Sequence, residues 1–151
     1  MRFGQLVTGS PGSGKTTYCK AAADFLRAQG RRLPLMHASS SMMLVVVVLP
    51  IIDNPASPPS AGREICVVNL DPADDNPPYD CSIDMKDIAS VSEKQREHQL
   101  GPNGALMLCI EQLETRSSWL LHQLSLLNNA YVLFDCPGQV FLFFIFSFPL
   151  L

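Results

Sequence analysis

The chain has 151 residues, the size of one ordinary domain, and is 47% apolar and 17% charged with a net charge of -3. This charge offers no electrostatic footprint for nucleic acid or for an anionic membrane, so we expect neither as a direct partner. The five cysteines are scattered without C-x-x-C spacing, which favours reduced thiols in a cytosolic chain over a disulfide framework or a zinc site.

Two apolar runs are candidates for membrane spans, residues 42–52 and 140–151. Each has about half of the ~20 residues that a span needs, so we expect no membrane segment. The first residues, MRFGQLVTG, lack the long apolar core of a secretory signal, which predicts a cytosolic start.

The first predicted strand is Phe3–Thr8, a short apolar run that a glycine follows. A helix is predicted from Lys15, because apolar residues recur at helical spacing until Gly30 can end it. Ile65–Leu70 and Ala130–Phe134 are continuous apolar runs, typical of strands that are covered on both faces. Strands alternating with helices predict an α/β fold with a mainly parallel sheet flanked by helices.

Between the last two strands, apolar spacing predicts one helix over residues 110–127, with Trp119 in the core. The run SEKQREHQ predicts a solvated helix face, and the three histidines have no ligand spacing and are expected on the surface. Residues 33–65 break the alternation with prolines, serines and an apolar patch, and we interpret them as an insertion. The predicted domain therefore covers residues 1–140, with an apolar tail at 141–151.

The stretch GSPGSGKTTYC follows the first strand and matches G-x-x-x-x-G-K-[ST], the P-loop. Glycines let successive backbone N–H groups converge on phosphate oxygens, and the helix that follows points its positive end at the anion. Lys15 would neutralise charge on the β and γ phosphates, and the Thr16 hydroxyl would ligate Mg²⁺. The predicted phosphate-binding residues here are Gly9, Gly12, Ser13, Gly14, Lys15, Thr16 and Thr17.

A triphosphate site also needs a carboxylate at the end of a neighbouring strand. Asp135 directly follows AYVLF and is predicted to hold Mg²⁺ together with Thr16. In the same DCPGQ segment, the Gly138 N–H would contact a γ phosphate and Gln139 would orient the attacking water. Asp71 ends the second strand in the same manner, so Asp71, Asp135 and Gln139 are the predicted catalytic residues. The alternatives are an ordinary polar strand end for Asp135 and a cap or turn for Asp71.

Four segments in this order resemble the GPN-loop GTPases, a family of P-loop proteins: GSPGSGKTTYC, VVNLDPA, LGPNGAL and LFDCPGQV. The triplet Gly101, Pro102 and Asn103 is by itself a common turn pattern, but it is specific in this company. FGQLVTG and FLRAQGRR are most similar to the branch called GPN-loop GTPase 2, with GPN-loop GTPase 3 the next most similar.

The resemblance implies a P-loop NTPase fold and a Mg²⁺-dependent GTPase, with the P-loop at Gly9–Thr17 and switch residues at Asp71 and at 135–139. It implies that the triplet, the GPN loop, reaches across a homodimer or heterodimer of GPN-loop GTPases toward the partner's nucleotide. It also implies a role in assembly and nuclear import of RNA polymerases II and III, and a cytoplasmic location with shuttling into the nucleus.

Two departures from the family pattern lead to further expectations. The family passes almost directly from the turn at Arg32 to VVNLDPA, and it continues past Val140 with polar residues and a base-reading [NT]KxD element. We therefore expect a fold that is incomplete at its C-terminus and lacks guanine selectivity. The alternatives are a catalytically dead fragment that binds a nucleotide or a partner, and an ATP-using P-loop protein, because the loop contacts only phosphates.

Overall fold

The computed structural model describes residues 2–29, 44–51, 64–127 and 130–138. Within them the chain forms five strands, four α-helices and a 3-10 turn at Met85–Asp87. In chain order the elements are β1 (Arg2–Gly9), α1 (Lys15–Gln29), β2 (Leu44–Ile51), β3 (Glu64–Asn69), β4 (Cys81–Asp84), α2 (Val91–His98), α3 (Pro102–Thr115), α4 (Ser117–Leu126) and β5 (Ala130–Asp135).

The strands form one sheet in the order β2-β1-β5-β3-β4. The four strands β1, β5, β3 and β4 run parallel, and β2 pairs antiparallel with β1 along its whole length. The α/β fold with a mainly parallel sheet flanked by helices is confirmed, as are the three predicted strands and the first helix.

The expectation of only three strands was wrong, because β2 and β4 also belong to the sheet. The strand β4 has four residues, CSID, too short and polar for a clear apolar pattern, and it joins β3 with a register shift. The strand β2 lies inside the stretch interpreted as an insertion and contains Pro50, which a sheet tolerates at an edge. Most of residues 33–65 and all of the tail lie outside the described residues, so both interpretations stay predictions.

The single helix predicted over residues 110–127 is two helices, and the first begins earlier, at Pro102. Arg116 departs from helical dihedrals at the junction, with φ -107° and ψ 28°. The Thr115 hydroxyl donates to Gln112 O at 3.0 Å, one of the local side-chain bonds that compete with helical geometry. Apolar periodicity passes through this break because both helices pack on the same core.

The sheet is covered on both faces, and β5 shows the division. Val132 and Phe134 pack with α2, α3 and α4 in the larger apolar cluster, whereas Leu133 points to the opposite face. We call this opposite face the α1 face; its buried members are Val7, Cys19, Ala22, Ala23, Val67, Tyr79 and Leu133.

Most side chains that were predicted to lie at the surface are exposed in the structure. Helix α2 buries Val91 and exposes most of its charged residues, which confirms the solvated face. His98 and His122 are exposed, and His37 lies outside the described residues. Trp119 was predicted to lie in the core. It is half-buried and packs against the larger cluster, so it lies at the edge of the core. Among the helices that the structure describes, none has the length and apolar character of a membrane span.

Candidate functional site

Three neighbouring strands bring the predicted site residues to one edge of the sheet. Asp135 at the end of β5 pairs with Val7 of β1 on one side and with Asn69 of β3 on the other. The Cys136 N–H donates to Val7 O at 3.2 Å, and the Leu70 N–H donates to Asp135 O at 2.8 Å. The loops that follow β1, β5 and β3 therefore leave the sheet side by side, where ligands bind in open α/β sheets.

The P-loop occupies the turn from β1 to α1 as predicted. Gly12 and Gly14 have φ angles of 76° and 83°, in the left-handed region that favours glycine. The Ser13 N–H donates to Ser10 O at 3.1 Å, which closes the turn, and the Tyr18 N–H donates to Gly14 O at 2.8 Å, which starts α1. Gly9 ends β1, and Thr17 is exposed in the first turn of α1.

Lys15 is 7% exposed although it is a lysine at the first position of a helix. Its Nζ donates to Ser10 O at 3.1 Å, so the side chain lies back across the P-loop. A buried ammonium and the positive end of α1 together make this turn a site for an anion.

Asp135 is 1% exposed and lies beside the P-loop. The Tyr79 hydroxyl donates to Oδ2 at 2.7 Å, whereas Oδ1 has no hydrogen-bond partner in the described part of the chain. Burial raises the pKa of this carboxyl, and hydrogen bonding from Tyr79 and then Thr16 opposes the rise. Thr16 is therefore close to Asp135, although it does not reach Oδ1 with full hydrogen-bond geometry.

Asp71 belongs to the same electrostatic group. Burial raises its pKa, while the Ala73 N–H, 3.0 Å from Oδ1, and the Lys15 ammonium lower it. Its negative charge in turn raises the pKa of Asp135. The side chain of Asp71 thus stabilises a turn, which was the alternative role predicted for it. It is also close enough to the Lys15 ammonium for an electrostatic interaction.

Sequence reasoning missed Asn69, the last residue of β3. It is fully buried; its Oδ1 accepts the Asp71 N–H at 3.1 Å and its Nδ2 donates to Asp84 Oδ1 at 3.2 Å. Asn69 therefore fixes the start of the Asp71 loop to the end of β4. The available signal was a polar residue inside the apolar run ICVVNL.

The loop after β5 touches the P-loop at Gly138. A Cβ atom at this position would lie 2.9 Å from Pro11 Cγ and 3.2 Å from Pro11 N. Only glycine fits this approach without movement of the P-loop. Gln139 lies outside the described residues, so its role in orienting water stays a prediction.

The triplet Gly101, Pro102 and Asn103 begins α3 rather than forming a free loop. Gly101 is the residue before the helix, Pro102 is the first helical residue, and all three are exposed. Pro is well suited to this position because the helix needs no N–H from it. Within the described residues the triplet makes no hydrogen bond to the P-loop, so it is a separate feature of the surface.

The oxygen atoms of the site fit Mg²⁺. Asp135 Oδ1 and Ser13 Oγ are buried without a hydrogen-bond partner in the described part of the chain, and the Thr16 hydroxyl is near Asp135. Mg²⁺ takes oxygen ligands and is held by one or two protein groups together with substrate phosphates. The described residues contain no cluster of three or more ligating side chains, so phosphates would have to complete this site.

Comparisons with known proteins show which family this chain belongs to. A protein-family model described as "Conserved hypothetical ATP binding protein" matches residues 56–148. GPN-loop GTPase QQT1 of Arabidopsis thaliana is 41% identical over 96% of the chain and 38% of its own length. GPN-loop GTPase 2 of Danio rerio is 38% identical over 95% of the chain and 36% of its own length. The chain belongs to the GPN-loop GTPase family.

The solved structure of a GTPase is also similar to this chain. The apo form of a GTPase from Pyrococcus abyssi matches with a TM-score of 0.59 at 28% identity, over 89% of this chain and 41% of that one. Several relatives carry the name GPN-loop GTPase 2, which agrees with the branch that the sequence most resembles. The chain spans well under half the length of these relatives and of the solved GTPase.

Proposed function

We propose that this chain forms the phosphate-binding part of a GPN-loop GTPase that binds GTP with Mg²⁺ and hydrolyses it. The observation that carries the proposal is the pairing of Val7, Asp135 and Asn69 across three adjacent strands. This pairing places a buried lysine, a buried carboxylate and the Asp71 loop around one turn of left-handed glycines. The names of the relatives, all GTPases, support the reaction.

Each residue has a role that follows from its position. Lys15 would leave Ser10 O for phosphate oxygens, because a charged acceptor makes a stronger hydrogen bond than a carbonyl. Thr16 and Asp135 would hold Mg²⁺, which neutralises charge on the phosphates. Asp71 would face the same phosphates, Gly138 would donate its N–H to the γ phosphate, and Gln139 would orient the water.

Removal of the Lys15 ammonium tests the site. We expect Lys15→Ala to weaken GTP binding by about 3 kcal/mol, or about a hundredfold in Kd, because a charge-assisted hydrogen bond is lost. Titration with a fluorescent guanine nucleotide in Mg²⁺ measures this. Lys20→Ala is the matched control, since among the described residues Lys20 pairs with Asp24 alone, at the exposed surface of the same helix. Equal affinity of the Lys15 variant and the wild type would refute the site.

Two alternatives remain and are separable. The description of the matching family model names ATP, and the P-loop alone contacts only phosphates, so an ATP-using protein is the second candidate. Calorimetry with GTP and ATP distinguishes them, and tighter ATP binding would contradict the guanine assignment. The third candidate binds nucleotide without turnover, and a single-turnover assay with Mg²⁺ that releases no phosphate would favour it.

The wider role is proposed from the family resemblance. We propose that the protein acts as a homodimer or heterodimer of GPN-loop GTPases in assembly and nuclear import of RNA polymerases II and III. Its location would be cytoplasmic, with shuttling into the nucleus. Exposure of the GPN triplet at the start of α3 supports the dimer, because a residue that reaches a partner must be accessible. Recovery of polymerase subunits with the tagged protein from cell extract is the corresponding observation.

A further inference from the structure

Tyr79 is a buried tyrosine that neither the P-loop nor the carboxylate motif includes. It is 9% exposed, and its ring packs on the α1 face of the sheet with Val7, Cys19 and Leu133. Its hydroxyl donates to Asp135 Oδ2 at 2.7 Å, a bond between residues 56 positions apart in the chain. A short hydrogen bond from a hydroxyl to a carboxylate is among the stronger kinds in proteins.

The two carboxylate oxygens of Asp135 differ in their hydrogen bonding. Oδ2 is occupied by Tyr79, and Oδ1 is buried without a hydrogen-bond partner among the described residues. The Thr16 side chain lies close to the same carboxyl and lowers its pKa. A carboxylate held at one oxygen cannot rotate freely, so the other oxygen keeps its direction.

The backbone before Tyr79 is restrained, so the hydroxyl is held in place. Pro77 and Pro78 precede it and limit the conformations of the chain there. The middle of the same loop is held by the Lys86 ammonium, which donates to Asp75 O at 2.7 Å. The loop that begins at Asp71 thus ends in a rigid contact with the carboxylate of the neighbouring strand.

We propose that Tyr79 is a positioning residue that orients the Asp135 carboxylate for Mg²⁺ through its hydrogen bond to Oδ2. The inference rests on the proposed function, because it requires Asp135 to serve the metal. Residues that hydrogen-bond a metal-binding side chain commonly change metal affinity by about 10- to 100-fold when they are altered. Tyr79 also connects the Asp71 loop to the metal carboxylate, so both carboxylates depend on one segment of chain.

The test uses Mn²⁺ as a paramagnetic substitute for Mg²⁺. Electron paramagnetic resonance measures the affinity of the chain–GDP complex for Mn²⁺. We expect Tyr79→Phe to weaken Mn²⁺ binding by about tenfold or more, while GDP affinity in EDTA stays within twofold. The control is Tyr18→Phe, since the Tyr18 hydroxyl donates to Gln5 Oε1 at 3.2 Å instead. That variant should match the wild type in both measurements.

Two size-matched analogues at position 79 keep the test valid if the Phe variant does not fold. 4-Aminophenylalanine retains a donor and should restore Mn²⁺ affinity, whereas 4-fluorophenylalanine fills the same space without a donor and should not. Equal Mn²⁺ affinities for these two analogues, or a loss of GDP affinity in EDTA as large as the loss in Mn²⁺, would overturn the inference. If GDP binding by the wild type does not depend on Mn²⁺, the proposed use of Mg²⁺ itself fails.

Discussion

Gly138 and Pro11 form the direct contact between the loop after β5 and the P-loop. The space that a Cβ atom would need at Gly138 is occupied by a proline ring and by backbone. A proline ring is rigid and its nitrogen is part of the P-loop main chain, so the contact cannot relax by a change of side-chain rotamer. The phosphate site therefore depends on a glycine that lies outside the P-loop motif.

We expect Gly138→Ala to weaken nucleotide binding by about 1 to 3 kcal/mol, the usual cost of overpacking. Fluorescent-nucleotide titration measures the loss of binding, and thermal unfolding measures any loss of stability. Gly104→Ala is the matched control, because a Cβ there would meet only the Leu100 side chain at an ordinary 3.5 Å. Replacement of Pro11 by glycine should restore binding to the Gly138 variant; a Gly138 variant that binds normally would contradict the steric argument.

Residues of the site differed in how well the sequence predicted them. Lys15 and Thr16 were predictable because the P-loop is one continuous segment whose backbone places them. Asp135 required only its position at the end of an apolar strand. Tyr79 was not predictable, because its partner lies on another element and no local pattern distinguishes a buried hydrogen-bonded tyrosine from an exposed one. Asn69 was signalled only by its polar character in the run ICVVNL, which does not identify its partners.

At the scale of elements, the loop from β3 to β4 is held at several places along its length. Asn69 fixes its start, and the Lys86 ammonium contacts Asp75 O in its middle. Asn69 is fully buried and uses both ends of its amide, on the Asp71 N–H and on Asp84. A single side chain thus connects β3, β4 and the loop that carries Asp71.

Asn69→Ala is expected to lower the free energy of unfolding by about 1 to 3 kcal/mol, because the partly buried Asp71 N–H loses its acceptor and Asp84 Oδ1 keeps only the Lys86 N–H as a donor. Denaturation in guanidinium chloride measures the change. Asn76→Ala, the same substitution at an exposed residue of the same loop, should stay within about 0.5 kcal/mol of the wild type. A loss at Asn69 no greater than the loss at Asn76 would show that the amide does not support the loop.

The elements themselves were partly predictable. Apolar strands covered on both faces are evident in the sequence, and β1, β3 and β5 were predicted from that feature. The strand β4 is stabilised by pairing with β3 rather than by its own composition. The start of α3 was missed because Pro102 and Gly101 read as a turn, whereas they are the residues with which a helix can begin.

At the scale of the whole molecule, two exposed apolar side chains lie near the GPN triplet in the sequence. Leu100 is 38% exposed and Met107 is 53% exposed, on the residues that precede and follow the triplet. Contiguous apolar patches mark sites where proteins associate, and two such side chains near one loop could contribute to one. These side chains support the proposed dimer and indicate which face of α3 would take part.

We expect the wild-type chain to dimerise in Mg²⁺ with a non-hydrolysable GTP analogue, and Met107→Glu to weaken the dimer by about 2 kcal/mol, because a charge would be buried. Light scattering after size-exclusion chromatography measures the mass. Leu126→Glu is the control, since Leu126 is 58% exposed on α4 and distant in sequence from the triplet. A monomeric mass at all concentrations of the analogue would contradict the dimer. Equal effects of the two variants would show that Met107 on α3 is not specifically part of the interface.

The pairing of β1 with β5 sets the order in which the phosphate site is completed during synthesis. Residues 4–7 pair with residues 132–135, so β1 gains its parallel neighbour β5 only near the end of the described chain, although its antiparallel neighbour β2 is made much earlier. Contacts between such distant segments form late, because closing a long loop is entropically unfavourable. A ribosome-bound chain that stops before β5 carries a complete P-loop sequence but has neither Asp135 nor Gly138 beside it. We therefore expect nucleotide to stabilise the complete phosphate site only after residue 138 has left the ribosome.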